Sequence, residues 1–256
     1  MLIKKRKTIL TTAIVAVLLL LVGFITFNIH VSNLSNNDTG DRLVAISYDF
    51  PSTSDLNEMI SEADIVVIGE YEGFNSKWNM ARNPNNLTEE DRENYVEGHL
   101  YNFKISEFIK GETENKIIKV NHRFAETVIL EDSNEVIASD GTITKKATKV
   151  TTKEVENIDP LFIEPKMDTK YMLFLKQDRV FQNYYGAIEP FAITFDERNL
   201  ATLQTNIDII DEDSLSTEVK MGAKTFILKN ELHETITDTI SGLTLGEIVQ
   251  RVETFE

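Results

Sequence analysis

The sequence predicts a mainly β protein: an elaborated small antiparallel barrel outside the membrane, one N-terminal transmembrane helix and a short C-terminal helix. Three observations carry that reading. An uncharged apolar run extends from Ile9 to Phe27, directly after the basic block Lys4-Lys5-Arg6-Lys7. Beyond residue 41 the chain breaks into short alternating or β-branched segments separated by turn residues, the pattern of strands rather than helices. Those segments do not alternate regularly with helices, which argues against a doubly wound sheet and for a closed or nearly closed barrel.

At about 1.5 Å of rise per residue, the apolar run is roughly long enough to cross a bilayer. A cleaved signal peptide has a shorter apolar core and a small-x-small site. Here Asn28-Ile29-His30-Val31 follow instead, so an uncleaved signal-anchor is the expectation, with a cleaved signal and a plain buried helix as the other readings. Basic residues before the run place the N-terminus inside and the remainder outside. The domains expected are a cytoplasmic basic segment (1–8), a transmembrane signal-anchor (9–28), a polar tether (29–41), an extracellular β-barrel-like domain with insertions (42–205), and an acidic turn, strand and C-terminal helix (206–256).

Within the exported part, Val44, Ile46, Tyr48 and Phe50 alternate along one strand face. Leu56, Met59 and Ile60 lie at helical spacing behind a Ser54 or Asp55 cap. The β-branched run Ile65-Val66-Val67-Ile68 reads as a strand buried on both faces. Residues 75–97 are polar and read as a long loop with one helical turn. Tyr101, Phe103 and Ile105 alternate; Gly111 makes a turn; Ile117 to Val120 is the next strand. Residues 142–155 fit an exposed hairpin arm. Tyr171 to Leu175, Phe181 to Ile188 and Phe191 to Phe195 are further strands, and Leu200 to Leu203 is a short return. Thr225 to Leu228 adds another. Thr244, with Glu247 three later, caps a helix over 244–255.

Three of these stretches also carry a resemblance. Ala63-Asp64-Ile65-Val66-Val67-Ile68-Gly69, Tyr101 to Gly111 with its Lys110-Gly111 turn, and Asp168 to Leu175 resemble the organisation of uncharacterised single-pass surface proteins of Gram-positive bacteria. Over roughly residues 55–195 the resemblance implies an OB-like β-barrel akin to netrin-like and metalloproteinase-inhibitor domains. It carries over no catalytic residue.

Composition limits the chemistry. The chain of 256 residues has no cysteine, which excludes disulfides, thiolate-bound metals, thiol nucleophiles and a lipid-modified cysteine. Its formal net charge of -16 argues against a nucleic-acid partner, because backbone binding requires a basic face. The basic block belongs to the anchor, so the rest of the chain is more acidic still, a charge that repels anionic headgroups.

The four histidines are His30, His99, His122 and His233. His99 and His122 lie at strand ends that meet if those strands pair, with Glu97 or Glu126 as a third ligand of a conceivable metal site. Polar residues at strand ends are the simpler reading. His233 lacks the second histidine of a metalloprotease helix. Asp208, Asp211, Glu212 and Asp213 form an acidic cluster without the glycine and terminal glutamate of an EF-hand. Glu89-Glu90-Asp91-Arg92-Glu93 reads as a solvated turn. Trp78, alone in a polar stretch, either anchors a partner or tucks back to pin its loop. Nucleophile elbows and phosphate loops are absent, and no cofactor is indicated.

The functions expected are therefore a membrane-anchored extracellular binding or structural module contacting another envelope protein, or a carboxylate- or metal-dependent surface hydrolase. A sensor passing its signal through a membrane partner is the third.

Overall fold

The computed structural model describes residues 32–34, 41–48, 50–133, 136–137, 143–145, 150–207, 215–222, 224–232 and 235–255. The β-branched run organises the main sheet. Strand β3 (Ile65–Asn79) buries Val66 and Ile68 on one face, against the two described helices, and Ile65 and Val67 on the other, against Phe103, Leu173 and Leu175. Its neighbours are β6 (Val96–Lys110) and β11 (Lys170–Asp178), both antiparallel. Beyond β6 lie β7 (Ile117–Ser133) and β10 (Val150–Ile158); beyond β11 lie β13 (Ala192–Phe195) and β14 (Ala201–Leu203). A short strand, β12 (Asn183–Gly186), pairs antiparallel with β11 and runs parallel to β7 at Tyr184↔Val120 and Tyr185↔Asn121. It draws the middle of the sheet into a curl.

A second sheet has four strands: β1 (Ser32–Leu34), β2 (Asp41–Tyr48), β16 (Lys224–Leu232) and β15 (Ser216–Met221), in that order. Val44, Ile46 and Tyr48 are buried from β2 and meet Val128 and Leu130 of β7, which form the contact between the two sheets. Among the described residues two two-stranded ribbons complete the β structure: β4 (Arg82–Asn83) with β5 (Asn86–Glu90), and β8 (Val136–Ile137) with β9 (Ile143–Lys145).

Helix α1 (Leu56–Glu62) starts where the Asp55 carboxylate accepts from Asn57 N, and its buried residues are Met59 and Ile60. Helix α2 (Leu245–Glu253) carries a complete capping box between Thr244 and Glu247 and buries Ile248 and Val252. Both helices cover the Val66–Ile68 face of the sheet in one cluster with Met172, Phe174 and Ile193. Burying an aliphatic or aromatic side chain of this size contributes about 1.5–3 kcal/mol, so this layer is a large part of the stability.

Two expectations are corrected here. The mainly β composition holds, but the sheet is not a closed barrel. Its path runs from β10 to β14, and β14 is finished by chain rather than by a strand: Ala201 N donates to Leu243 O and Gly242 N to Ala201 O. Parallel pairings of β12 with β7 and of β16 with β2 also depart from an all-antiparallel barrel. The second correction concerns the membrane. The described helices have 7 and 9 residues, against roughly 20 for a bilayer span, and among the described residues no helix is long and apolar enough to cross one. Residues 9–28, where the anchor was placed, lie outside the described residues. A single-pass membrane topology, a cytoplasmic N-terminus, an extracellular location and a bilayer partner are therefore not carried further.

The polar stretch 75–97 also differs from its reading as a loop. Strand β3 continues through Trp78 to Asn79, the β4–β5 ribbon follows, and β6 begins at Val96. Its side chains are polar on both faces because the arm extends beyond the core.

Two glycines give opposite expectations. A Cβ on Gly69 would lie 2.1 Å from Lys104 O and 2.8 Å from a Phe103 ring carbon, whereas at Gly246, in the first turn of α2, nothing lies within 4 Å. Gly69→Ala should cost about 2 kcal/mol or more through overpacking, and Gly246→Ala should gain about 0.5 kcal/mol from lost unfolded-chain entropy. Urea unfolding of the two variants checks both signs.

Candidate functional site

The β6–β7 register sets His99 directly opposite His122. The two imidazoles nevertheless serve different partners. His99 Nε2 meets Glu97 Oε1 at 2.7 Å, and its ring stacks on Phe124 at 3.9 Å and 11°. Glu97 also receives Lys77 Nζ at 2.7 Å. His122 Nε2 meets Tyr71 OH at 2.9 Å inside an aromatic cluster. Desolvation, and then the nearby His99, push His122 down to about 3, so its imidazole is neutral at ordinary pH. Glu126 bonds Tyr48 and Arg123 instead. Among the described residues no group of three or more His, Asp or Glu side chains is placed to hold a metal, which overturns the metal-dependent hydrolase.

Other candidates resolve in the same way. Trp78 tucks back: Nε1 donates to Asn121 Oδ1 at 2.7 Å. Arg82 closes over it, 4.7 Å from its ring centroid and 3.6 Å from that of Phe181, while pairing with Asp178 at 3.4 Å. The tryptophan thus pins the β3 arm to the turn after β11. Glu89 and Glu90 are exposed on β5, and Asp91 organises a turn by accepting from Glu93 N and from Asn94. His30, His233 and the cluster Asp208, Asp211, Glu212 and Asp213 lie outside the described residues.

Apart from Glu126, the residues brought together are ones the sequence patterns do not single out as functional. Arg123, on β7, donates from Nη2 to Glu126 Oε2 at 2.7 Å and pairs through Nε with Asp159 Oδ2 at 2.9 Å. On its other oxygen Glu126 accepts from Tyr48 OH at 3.1 Å; that hydroxyl accepts from Asn157 Nδ2 at 2.7 Å, which also reaches Asn230 Oδ1 at 2.9 Å. This buried chain joins β2 and β16 of the second sheet to β7 and β10 of the first. Burial pushes Asp159 up to about 6 even though Arg123 and the Leu161 N–H hold it down.

Asp159 and Arg123 also reach a cleft of about 290 Å³. Aromatic side chains stand in its walls: Phe50, Phe162, Tyr185 and Phe191. A smaller recess of about 30 Å³ continues from it and shares His122, Leu161, Glu189 and Phe191. Glu189 is held by its backbone, which donates to Pro51 O and accepts from Thr53 N. Its side chain is only partly accessible. Among the described residues its carboxyl takes no hydrogen bond and no ion pair; desolvation, and then Asp159, push it up to about 8. Ser52, bridged to Glu189 across the chain, has the one buried side-chain oxygen without a partner among the described residues.

A larger cavity, about 480 Å³, lies between β7, β10 and the β15–β16 turn. Its charges are already matched: Lys224 and Arg42 pair with Asp132, and Lys153 donates to Lys220 O. The cleft at Glu189 is therefore the stronger site, because unsatisfied polar groups, not volume, mark a missing partner.

His122 supplies a test of this environment. Its ordinary value is 6.5 and its folded value about 3. The unfolded chain takes up the proton first, so the stability it contributes is full above about 6.5 and is lost as pH falls toward 3. His122→Gln should flatten the loss of unfolding free energy in that window relative to the parent. Denaturant titrations at pH 7, 5 and 4 check it; parallel curves would contradict a neutral buried imidazole.

Comparison with protein-family models, with curated proteins and with solved structures finds no match for this chain, so neither these comparisons nor the sheet topology sustain the resemblance to single-pass OB-like surface proteins.

Proposed function

We propose that the domain is a small-molecule-binding module whose site is the aromatic-walled cleft at Glu189. One observation carries this reading: a carboxyl with no hydrogen-bond partner among the described residues lines a concave, mostly apolar site. Small-ligand pockets are concave and apolar with a few polar groups that fix orientation, which matches Phe50, Phe162, Tyr185 and Phe191 around Glu189 and Asp159. Binding in this cleft requires neither a metal nor a membrane anchor.

Arg123 and the Asp159 carboxylate give the cleft a rigid floor, since both belong to the network that joins the two sheets. His122, neutral and fixed by Tyr71 OH, contributes a ring face and a hydrogen-bonding edge. The ligand therefore meets preformed groups, and little ordering entropy opposes binding.

Amide NMR spectra titrated with small aromatic fragments such as phenol, indole and benzylamine test the site. Shifts should concentrate at Leu161, Phe162, Glu189 and Phe191, and Leu161→Trp, which fills the cleft, should abolish them. Shifts scattered over the surface, or unaffected by the plug, would overturn the reading. Stability gives an independent check on Glu189. Its folded value of about 8 lies above its ordinary 4.5, so the stability it carries is full below about 4.5 and lost as pH rises through 8. Glu189→Gln stays neutral and should gain on the parent across that window in thermal melts at pH 5, 7 and 8.5.

A further inference from the structure

We propose that the cleft takes a primary amine on an aromatic body, its ammonium seated against Glu189 and its ring among Phe50, Phe162 and Phe191. The inference rests on the binding-site reading above and names the ligand's chemistry.

It follows from which charges around the cleft are already matched. The titratable groups that line the cleft with Glu189 come from β7, β11, β12 and the chain after β10, which supplies Asp159. Arg123 of β7 is held between Glu126 and Asp159 at 2.7 and 2.9 Å. Lys176 of β11 is held by Glu62 of α1 at 2.6 Å. His122 of β7 is neutral and bonded to Tyr71 OH. Tyr185 of β12 stays protonated, its hydroxyl shifted up by burial and by Asp178 and Asp64. An anionic ligand would therefore meet cations that already have carboxylates. The Glu189 carboxyl alone has no counterpart among the described residues, and the group that completes it is a donor. A positively charged donor does more than a neutral one, because charge-assisted hydrogen bonds are roughly twice as strong.

The walls point the same way. Aromatic faces attract cations through their quadrupoles, and desolvation strengthens the attraction. Three phenylalanines and a tyrosine line this one cleft. The chain's formal net charge of -16 also raises the local concentration of small cations and speeds their encounter.

Seating the ammonium ionises Glu189: at neutral pH the acid loses its proton to solvent as the ion pair forms. Binding should therefore release a proton near pH 7 and tighten as pH rises toward 8. Asp159 and His122 add little to this dependence near neutral pH, having completed most of their titration below it.

The test compares 2-phenylethylamine with its neutral isostere 2-phenylethanol by isothermal calorimetry and NMR on the parent and on Glu189→Gln. The amine should bind at least tenfold more tightly than the alcohol at pH 8. At pH 7 its apparent enthalpy should differ between phosphate and Tris, which reports the released proton. Glu189→Gln should erase the amine's advantage while leaving the alcohol's affinity within about twofold. Equal affinity of amine and alcohol in the cleft would overturn the amine inference and leave the binding-site reading standing. A Glu189→Gln loss shared equally by both compounds would also overturn it, by making Glu189 structural. Neither compound perturbing the cleft residues would overturn both readings.

Discussion

The fold depends on one cation. Among the described residues Arg123 is the one side chain that pairs with both Glu126, bound to the second sheet through Tyr48, and Asp159, which lines the cleft. Its side chain is 20% exposed, against 3% and 6% for the two carboxylates. Two buried carboxylates sharing one site would repel strongly without it, and removing one member of a buried ion network typically costs about 3–5 kcal/mol. Replacing such a network wholesale with apolar residues is often neutral. The Arg123 fork ties β7, and through Glu126 and Tyr48 also β2, to the chain after β10 that forms part of the cleft wall.

That arrangement explains why a carboxyl is left unmatched at Glu189. Arg123 has two carboxylates and Lys176 has Glu62, so the nearby cations are engaged elsewhere. Glu189 sits in an apolar segment, Ala187-Ile188-Glu189-Pro190-Phe191, whose neighbours bury themselves in two different clusters, Ile188 beneath the helices and Phe191 on the opposite side of the sheet. The packing of both neighbours holds the segment in place, and the acid between them is carried to the cleft. The same packing keeps the segment's geometry constant for a ligand.

Much of the fold was legible because it rests on local pattern. Alternation in Val44, Ile46 and Tyr48 marks a half-buried strand, and four β-branched residues from Ile65 mark one packed on both faces. The Thr244–Glu247 capping box fixes the start of α2 through chemistry three residues long. Sequence alternation fails for residues 75–79 and for the β4–β5 ribbon, because an arm that buries neither face has no apolar period to read. Barrel closure is likewise not a local property. It depends on whether the last strand finds the first, and here Leu243 and Gly242 occupy the edge of β14 instead.

The site was less legible for a reason of the same kind. With 42 acidic residues in the chain, an isolated glutamate carries no signal by type. What distinguishes Glu189 is the absence of a partner, and absence emerges only after every nearby cation has been assigned. His99 and His122 show the converse. Their pairing across β6 and β7 followed from strand order, but side-chain geometry sent one to Glu97 and the other to Tyr71. A metal site needs three ligands converging on one point, whereas an ammonium needs only one unmatched carboxylate and an apolar wall. The second requirement matches the proposed site: β12 pairs with β7 at Tyr184 and Tyr185, and Phe162 and Phe191 stand against His122 of the same strand.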